Sequence, residues 1–165
     1  KNIFTIRLTE KIIINNKEVK YLKPAGQKNS LFIPPNVDVE NLNEIIITEG
    51  ELKSLVLAQY GLPIIALSGI WCWKKSNPQK QKLSDRDGLI DDIKQINWKN
   101  KNIYLVYDSD IDQFNSGWSA FFRLAEQLMR LGAKNFQIYT MEQLYTTIRP
   151  GLVIISIITY QKTGR

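Results

Sequence analysis

Residues 44–61, EIIITEGELKSLVLAQYG, combine a short aliphatic run with a stretch of helical periodicity. The run EIIIT is rich in β-branched residues, which is typical of a strand buried on both faces of a sheet. In the stretch that follows, Leu52, Leu55 and Val56 recur at helical spacing. Gly61 supplies a stop signal. The segment therefore predicts a buried strand that leads directly into a helix.

The same alternation of strand and helix continues along the chain. Three further strands are predicted by LPIIALSG (62–69), KNIYLVYDSD (101–110) and NFQIYT (135–140). Between them, one helix is indicated by the spacing of Ile90, Ile93 and Ile96, and a longer one by SGWSAFFRLAEQLMRLGAK (116–134). The predicted apolar stripe of the longer helix consists of Trp118, Phe121, Phe122, Ala125, Leu128 and Met129, with Gly132 at its C-cap.

This order predicts an α/β fold with a mostly parallel four-stranded sheet and helices on both faces. A small β unit precedes it, with strands at 3–8 and 18–22 joined around two asparagines and closed by LFIPPN (31–36). We therefore expect three regions: a basic N-terminal hairpin extension over 1–40, a core over 41–145 and a tail over 146–165.

Composition excludes several kinds of chemistry. The 165 residues contain no histidine and one cysteine, Cys72, which rules out a Ser-His-Asp triad, a Cys-His pair, the usual zinc ligand sets and disulfides within the chain. Lysine and arginine number 22 against 16 acidic residues, a net charge of +6 that is compatible with a polyanionic partner. Catalysis would have to rest on carboxylates, lysines, hydroxyls or a bound cation.

Acidic residues follow two of the predicted strands. Glu49 ends the first core strand, and Asp108 and Asp110 follow the third. If these two strands are neighbours, the three carboxylates converge at the edge where ligands of parallel sheets bind, and a divalent cation would stabilise them. Oxygen ligands without His or Cys favour Mg²⁺ or Mn²⁺. Glu49 would complete the metal site or act as a general acid or base; the alternative is that these acids only form turns and caps.

The succession of TEG, an amphipathic helix, LPIIALSG and a strand ending in YDSD resembles the Toprim domain, a Rossmann-like fold of bacterial-type primases, topoisomerases and some nucleases. The likeness covers roughly residues 44–140. The run EGELKSLVLAQYGLP (49–63) and the segment KYLKPAG (20–26) are most similar to an uncharacterised, DUF3854-like Toprim-like domain of plasmid and phage replication proteins.

The resemblance implies roles for individual residues. Glu49 would be the motif glutamate, and Asp108 and Asp110 would bind Mg²⁺ or Mn²⁺. Gly50 would allow a sharp turn, and Gly69 a tight turn after the second strand. One helical turn after Glu49, Lys53 would contact a phosphate; the alternative is a solvated helix face.

The implied activity is Mg-dependent nucleotidyl transfer by a DNA replication primase of a plasmid, phage or mobile element. Its partners would be a DNA template, nucleoside triphosphates and a helicase domain or protein. Basic residues expected to contact the nucleic acid are Lys20, Lys23, Lys74 and Lys75. A Toprim-type nuclease and a non-catalytic nucleic-acid-binding module are the alternatives. The chain lacks the zinc module usual in primases, so we expect activity to need parts outside it.

The two ends of the chain carry further expectations. A first residue Lys1, rather than Met, suggests a piece of a longer protein, and without a signal peptide or a membrane-length apolar run we expect a cytoplasmic location. The ending GLVIISIITYQKTGR (151–165) departs from the acidic segment of related chains. Either residues 153–165 are a frameshifted tail or they form an ordinary fifth strand.

Overall fold

A computed structural model of the chain describes residues 6–14, 16–24, 26–75, 88–108, 115–140, 148–149 and 152–153, without the side chains of 7, 17, 20, 115–117 and the last two pairs. The strands are β1 (Ile6–Ile14), β2 (Lys17–Leu22), β3 (Leu31–Phe32), β4 (Glu44–Glu49), β5 (Ile64–Leu67), β6 (Asn102–Tyr107), β7 (Asn135–Thr140), β8 (Ile148–Arg149) and β9 (Leu152–Val153). The helices are α1 (Glu51–Gln59), α2 (Asp91–Gln95) and α3 (Asn115–Arg130), with a 3₁₀ turn at Val39–Asn41.

The main sheet has five strands in the order β3-β5-β4-β6-β7. Strands β4 to β7 are parallel, as the sequence predicts, whereas β3 is antiparallel to β5. The prediction of four strands is therefore wrong by one edge strand. Leu31 and Phe32 pair with Leu67 and Ala66. A strand of two residues is too short to show the alternation of apolar and polar residues that marks a strand. It also lies in the segment predicted to close the N-terminal unit.

The helices cover both faces of this sheet. Ile46, Ile64 and Val106 pack in one cluster with Leu57 and Ala58 of α1. The alternate residues of the same strands form the larger cluster on the other face with α2 and α3, including Ile47, Ile65, Leu105, Ile93 and Phe121. Burial on both faces explains why β4 contains no alternating polar residues.

The two helices of the larger cluster differ in detail from their predictions. Helix α2 is only five residues long, although Ile90, Ile93 and Ile96 are all buried as expected. The buried face of α3 consists of Ala120, Phe121, Leu124, Ala125, Gln127 and Leu128. Phe122 and Met129, which the sequence places in the apolar stripe, are instead 45% and 38% exposed. Gly132 has a φ of +105° beyond the end of the helix, in keeping with its predicted C-cap role.

A buried lysine joins the starts of the two central strands. Lys101 precedes β6 and is only 5% exposed, and its ammonium group donates hydrogen bonds to the carbonyl oxygens of Val39 and Glu40, both at 3.0 Å, and of Leu42. These carbonyls belong to the 3₁₀ turn and the residue after it, just before β4. The charge is therefore solvated by the backbone.

The remaining strands form two small sheets of their own. Strands β1 and β2 pair in an antiparallel hairpin, with Asn16 at a φ of 61° in the turn, and β1 runs on to Ile14, further than predicted. Strands β8 and β9 pair with each other, while 154–165 lie outside the described residues, so both hypotheses for the tail stand. No described helix has both the length and the apolar character needed to span a bilayer.

Candidate active site at the carboxyl ends of the parallel strands

The central strands of the sheet bring the predicted acids to one edge. Strand β4 lies between β5 and β6, with Glu49 paired to Leu67 on one side and Thr48 paired to Val106 on the other. Glu49 and Asp108 therefore come from the carboxyl ends of adjacent parallel strands, where ligands of such sheets bind. Asp110 lies outside the described residues.

Gly50 makes the turn between β4 and α1. Its φ is +94°, a left-handed value that residues with a side chain rarely adopt, and its N–H donates to the carbonyl of Leu67 at 2.8 Å. A Cβ at this position would lie 3.1 Å from Cε of Lys53. Both the backbone angle and the close approach of Lys53 favour glycine at this position.

Lys53 points from the first turn of α1 to the same edge. Its ammonium group forms an ion pair with Oδ1 of Asp108, and the two side chains are 32% and 47% exposed. The contact of Lys53 in this structure is a carboxylate, and its contact with a phosphate stays a prediction. Solvent screens a pair of this exposure, so it contributes little to stability by itself.

A second polar contact at this edge involves residues that the sequence did not single out for a role. Ser68, just beyond β5, donates from Oγ to Oε1 of Glu51 at 2.7 Å. The buried Ser54 donates to the backbone carbonyl of Glu51 at 2.8 Å. In the sequence, Ser68 is only a serine after a predicted strand. Its contact with the start of α1 becomes apparent only when the strand order is known.

The loop after β5 packs against Glu49. A Cβ on Gly69 would lie 4.0 Å from Oε1 of Glu49 and 3.3 Å from Sγ of Cys72, and the Cys72 N–H closes a turn onto the Gly69 carbonyl at 2.8 Å. Burial is the main reason why the pKa of the Cys72 thiol is raised. Lys23 opposes this shift in pKa, so it lies within electrostatic range of the same loop.

Tyr107 places a buried hydroxyl beside the acids. It ends β6 and is 1% exposed, and its hydroxyl has no hydrogen-bond partner among the described residues. Burial raises the pKa of this phenol, and the charge of Glu49 raises it further. The influence of Glu49 on this pKa places its carboxylate within electrostatic range of the Tyr107 hydroxyl.

The two described acids suit a hard cation that keeps much of its water. Glu49 and Asp108 offer carboxylate oxygens at adjacent strand ends, and Mg²⁺ commonly binds to one or two carboxylates with waters and substrate phosphates. Within the described ranges, no group of three His, Cys, Asp or Glu side chains is placed to hold a metal. The donor chemistry therefore fits Mg²⁺ or Mn²⁺, with further ligands coming from elsewhere.

Two of the predicted basic residues, Lys74 and Lys75, have side-chain partners in the structure. The ammonium group of Lys74 lies over the rings of Trp71 and Trp73, and Lys75 pairs with Asp91 at 2.6 Å. That hydrogen bond from Lys75 is the main cause of the lowered pKa of Asp91. The side chain of Lys20 is outside the described part of the chain.

Comparison with known families gives one assignment. A family model described as "Domain of unknown function (DUF3854)" matches residues 38–143, more than half of the chain. The chain belongs to the DUF3854 family. The matched residues of this DUF3854 domain include α1 and the carboxyl ends of β4, β5 and β6, and so the whole candidate site. No match was found among curated proteins or among solved structures.

Proposed function

We propose that this DUF3854 domain is a Toprim-like domain that catalyses Mg-dependent nucleotidyl transfer in a DNA replication primase. The observation that carries the proposal is that Glu49 and Asp108 lie at the carboxyl ends of adjacent parallel strands, with Lys53 of α1 paired to Asp108. Two carboxylates and an ammonium group at such an edge form a set suited to a metal ion and a phosphate.

The three residues would serve a metal ion, a phosphate and a proton transfer. Glu49 and Asp108 would hold Mg²⁺ or Mn²⁺, with Asp110 as a further candidate ligand, and the metal would supply electrostatic stabilisation of the charge that develops on the phosphoryl oxygens. Lys53 would exchange its contact with Asp108 for a phosphate oxygen of the nucleoside triphosphate. Glu49 would also be placed to accept the proton of the attacking hydroxyl.

A non-catalytic nucleic-acid-binding module of a replication protein is the second candidate. It is favoured by the Lys53–Asp108 ion pair, because an ammonium group can satisfy this carboxylate without any metal. The two functions differ in what Lys53→Met would do. If Asp108 is a metal ligand, Mn²⁺ binding survives this substitution. If Asp108 serves only as the ion-pair partner of Lys53, the variant binds no Mn²⁺, and its stability changes little because solvent screens the pair.

Calorimetric titration with Mn²⁺ tests the proposal. We expect wild type to bind Mn²⁺, and to bind it more tightly with a nucleoside triphosphate present, whereas Asp108→Asn and Glu49→Gln lose at least about tenfold in affinity. Glu126→Gln is the matched control, because Glu126 is an exposed acid on α3 that pairs with Arg130 of the same helix. Equal binding by all four proteins, with or without nucleotide, would refute the metal site.

Reaction assays then separate the chemistries. Primer synthesis from nucleoside triphosphates on a DNA template, lost in Asp108→Asn, would support the primase, in which case a helicase domain or protein is the expected partner. Strand cleavage without nucleotides would indicate a Toprim-type nuclease instead. Nucleic-acid binding unaffected by loss of the acids, without either reaction, would support the binding module.

A further inference from the structure

Aromatic side chains collect beside the candidate active site. Trp71 lies in the loop after β5, and Trp118 and Phe122 lie one turn apart on α3, with their ring centroids 6.2 Å from each other. Trp71 and Trp118 are half-buried against the main core cluster, and Phe122 is 45% exposed. We call Trp71, Trp118 and Phe122 the aromatic platform.

Two cations are held on this platform. The ammonium nitrogen of Lys74 lies 5.2 Å from the ring centroid of Trp71 and 4.7 Å from that of Trp73, and the guanidinium carbon of Arg123 lies 5.6 Å from the Trp71 centroid. Arg123 follows Phe122 directly, so its contact with Trp71 brings the loop and α3 together. Cation–π contact holds both positive charges at the Trp71 ring.

The loop also connects the platform to the acids. Trp71 is two residues from Gly69, where a Cβ would lie 4.0 Å from Oε1 of Glu49. Behind Trp71, the fully buried Trp73 stacks at a centroid distance of 6.1 Å, which fixes the loop against the core. A ligand on the platform would therefore lie next to the carboxyl ends of the parallel strands.

We infer that the aromatic platform, with Lys74 and Arg123, binds a single-stranded nucleic acid by stacking its bases on the rings and attracting its phosphates to the two cations. Proteins that bind single-stranded nucleic acids combine aromatic side chains with positive charges. The rings stack on the bases, and the charges attract the phosphates. The inference rests on the proposed function in one respect: the bound nucleic-acid strand would be the substrate that reaches Glu49.

Tryptophan fluorescence gives a direct readout of stacking. Of the four tryptophans, Trp73 and Trp98 are at most 1% exposed, so quenching by a stacked base would report on Trp71 and Trp118. The metal-free protein is titrated with oligothymidylate, with oligouridylate and with an abasic oligonucleotide of the same length. We expect quenching by the first two, with the tighter binder identifying DNA or RNA as the ligand. The abasic strand should bind more weakly and leave the emission unchanged.

Two conservative substitutions test the platform without disturbing the core. Phe122→Leu keeps apolar volume but removes the ring, and we expect at least about fivefold weaker binding of the base-bearing strands. Arg123→Gln should weaken binding of all strands and reduce its salt dependence. Met129→Leu and Arg130→Gln are the matched controls, because both residues are exposed on the same helix further from the acids.

The inference is overturned if base-bearing and abasic strands bind alike, if no strand quenches the emission, or if the two variants match their controls. Its failure is distinguishable from failure of the proposed function, because these titrations contain no metal. Binding with quenching by a protein that shows no Mn²⁺ site would keep the platform and refute the catalytic proposal. A Mn²⁺ site without base-dependent binding would refute the platform and keep the catalytic proposal.

Discussion

Replacement of Lys101 by methionine should destabilise the fold while leaving the candidate site intact. Methionine keeps most of the apolar stem, so the change removes mainly the ammonium group and its three hydrogen bonds to backbone carbonyls. The bond to the Val39 carbonyl is buried, and an acceptor left without a partner there costs about 1–3 kcal/mol. The carbonyls of Glu40 and Leu42 are only partly buried and can regain water.

The net magnitude follows from these opposing effects. Loss of three charge-assisted hydrogen bonds at about 1.5–3 kcal/mol each is offset by relief from burying the ammonium group, which costs several kcal/mol. We therefore expect the free energy of unfolding to fall by about 2–4 kcal/mol. At about 2–4 °C per kcal/mol for a chain of this size, Tm should drop by about 5–15 °C.

Urea denaturation followed by circular dichroism measures this loss. Lys99→Met is the control, because Lys99 is an exposed lysine two residues earlier and should change stability by no more than about 0.5 kcal/mol. Lys101 precedes β6, at the opposite end of that strand from Asp108, so Mn²⁺ binding by the folded variant should equal that of wild type. If Lys101→Met is as stable as Lys99→Met, the three hydrogen bonds from Lys101 to backbone carbonyls contribute nothing to stability, and the reasoning is refuted.

Three shorter predictions concern the site and its surroundings. Gly50→Ala should cost about 1–2 kcal/mol in thermal unfolding, because the residue has a left-handed φ and the new methyl would press on Lys53; an unchanged Tm would contradict this. Tyr107→Phe should raise the free energy of unfolding by about 1–3 kcal/mol in urea melts, since it removes a buried hydroxyl without a described partner, and a destabilised variant would reveal a hidden partner. Burial, aided by the hydrogen bond to Glu44, raises the pKa of Tyr104 to about 12. In the unfolded chain this phenol has the ordinary tyrosine pKa of about 10, so stability should decline between pH 10 and 12. In melts across that range, Tyr104→Phe should decline less, and equal slopes would argue against the shifted pKa.

Local signals in the sequence were sufficient for the central part of the fold. The β-branched run before Glu49 and the glycines at positions 50, 61 and 132 mark strand and helix ends within a few residues, and the structure has those ends in place. The preference for right-handed crossovers accounts for the parallel direction of β4 to β7, whereas the adjacency of β4 and β6, which brings Asp108 beside Glu49, comes from the structure alone. These inferences succeed because each depends on the residue's immediate neighbours or on a general rule of topology.

The features that were missed depend on partners distant in sequence. Lys101 gave no signal because its partners are backbone carbonyls about 60 residues away. The contact of Ser68 with Glu51 exists only because β5 lies beside β4. The sequence places Phe122 in the buried stripe of α3, whereas in the structure Phe122 is exposed and Leu124 is buried. A 3.6-residue period fits either face when both contain aromatic residues.

The short strand β3 determines where the chain can safely be cut. It covers the outer edge of β5, whose four residues are all buried, and the Leu31 N–H is held by Asp92 at 2.8 Å. The family match begins seven residues after Leu31, at residue 38. A fragment trimmed to that match would expose an aliphatic strand with unpaired N–H and C=O groups, a template for intermolecular pairing. An expression fragment that begins at about residue 28 should remain monodisperse in light scattering, whereas one that begins at residue 38 should aggregate.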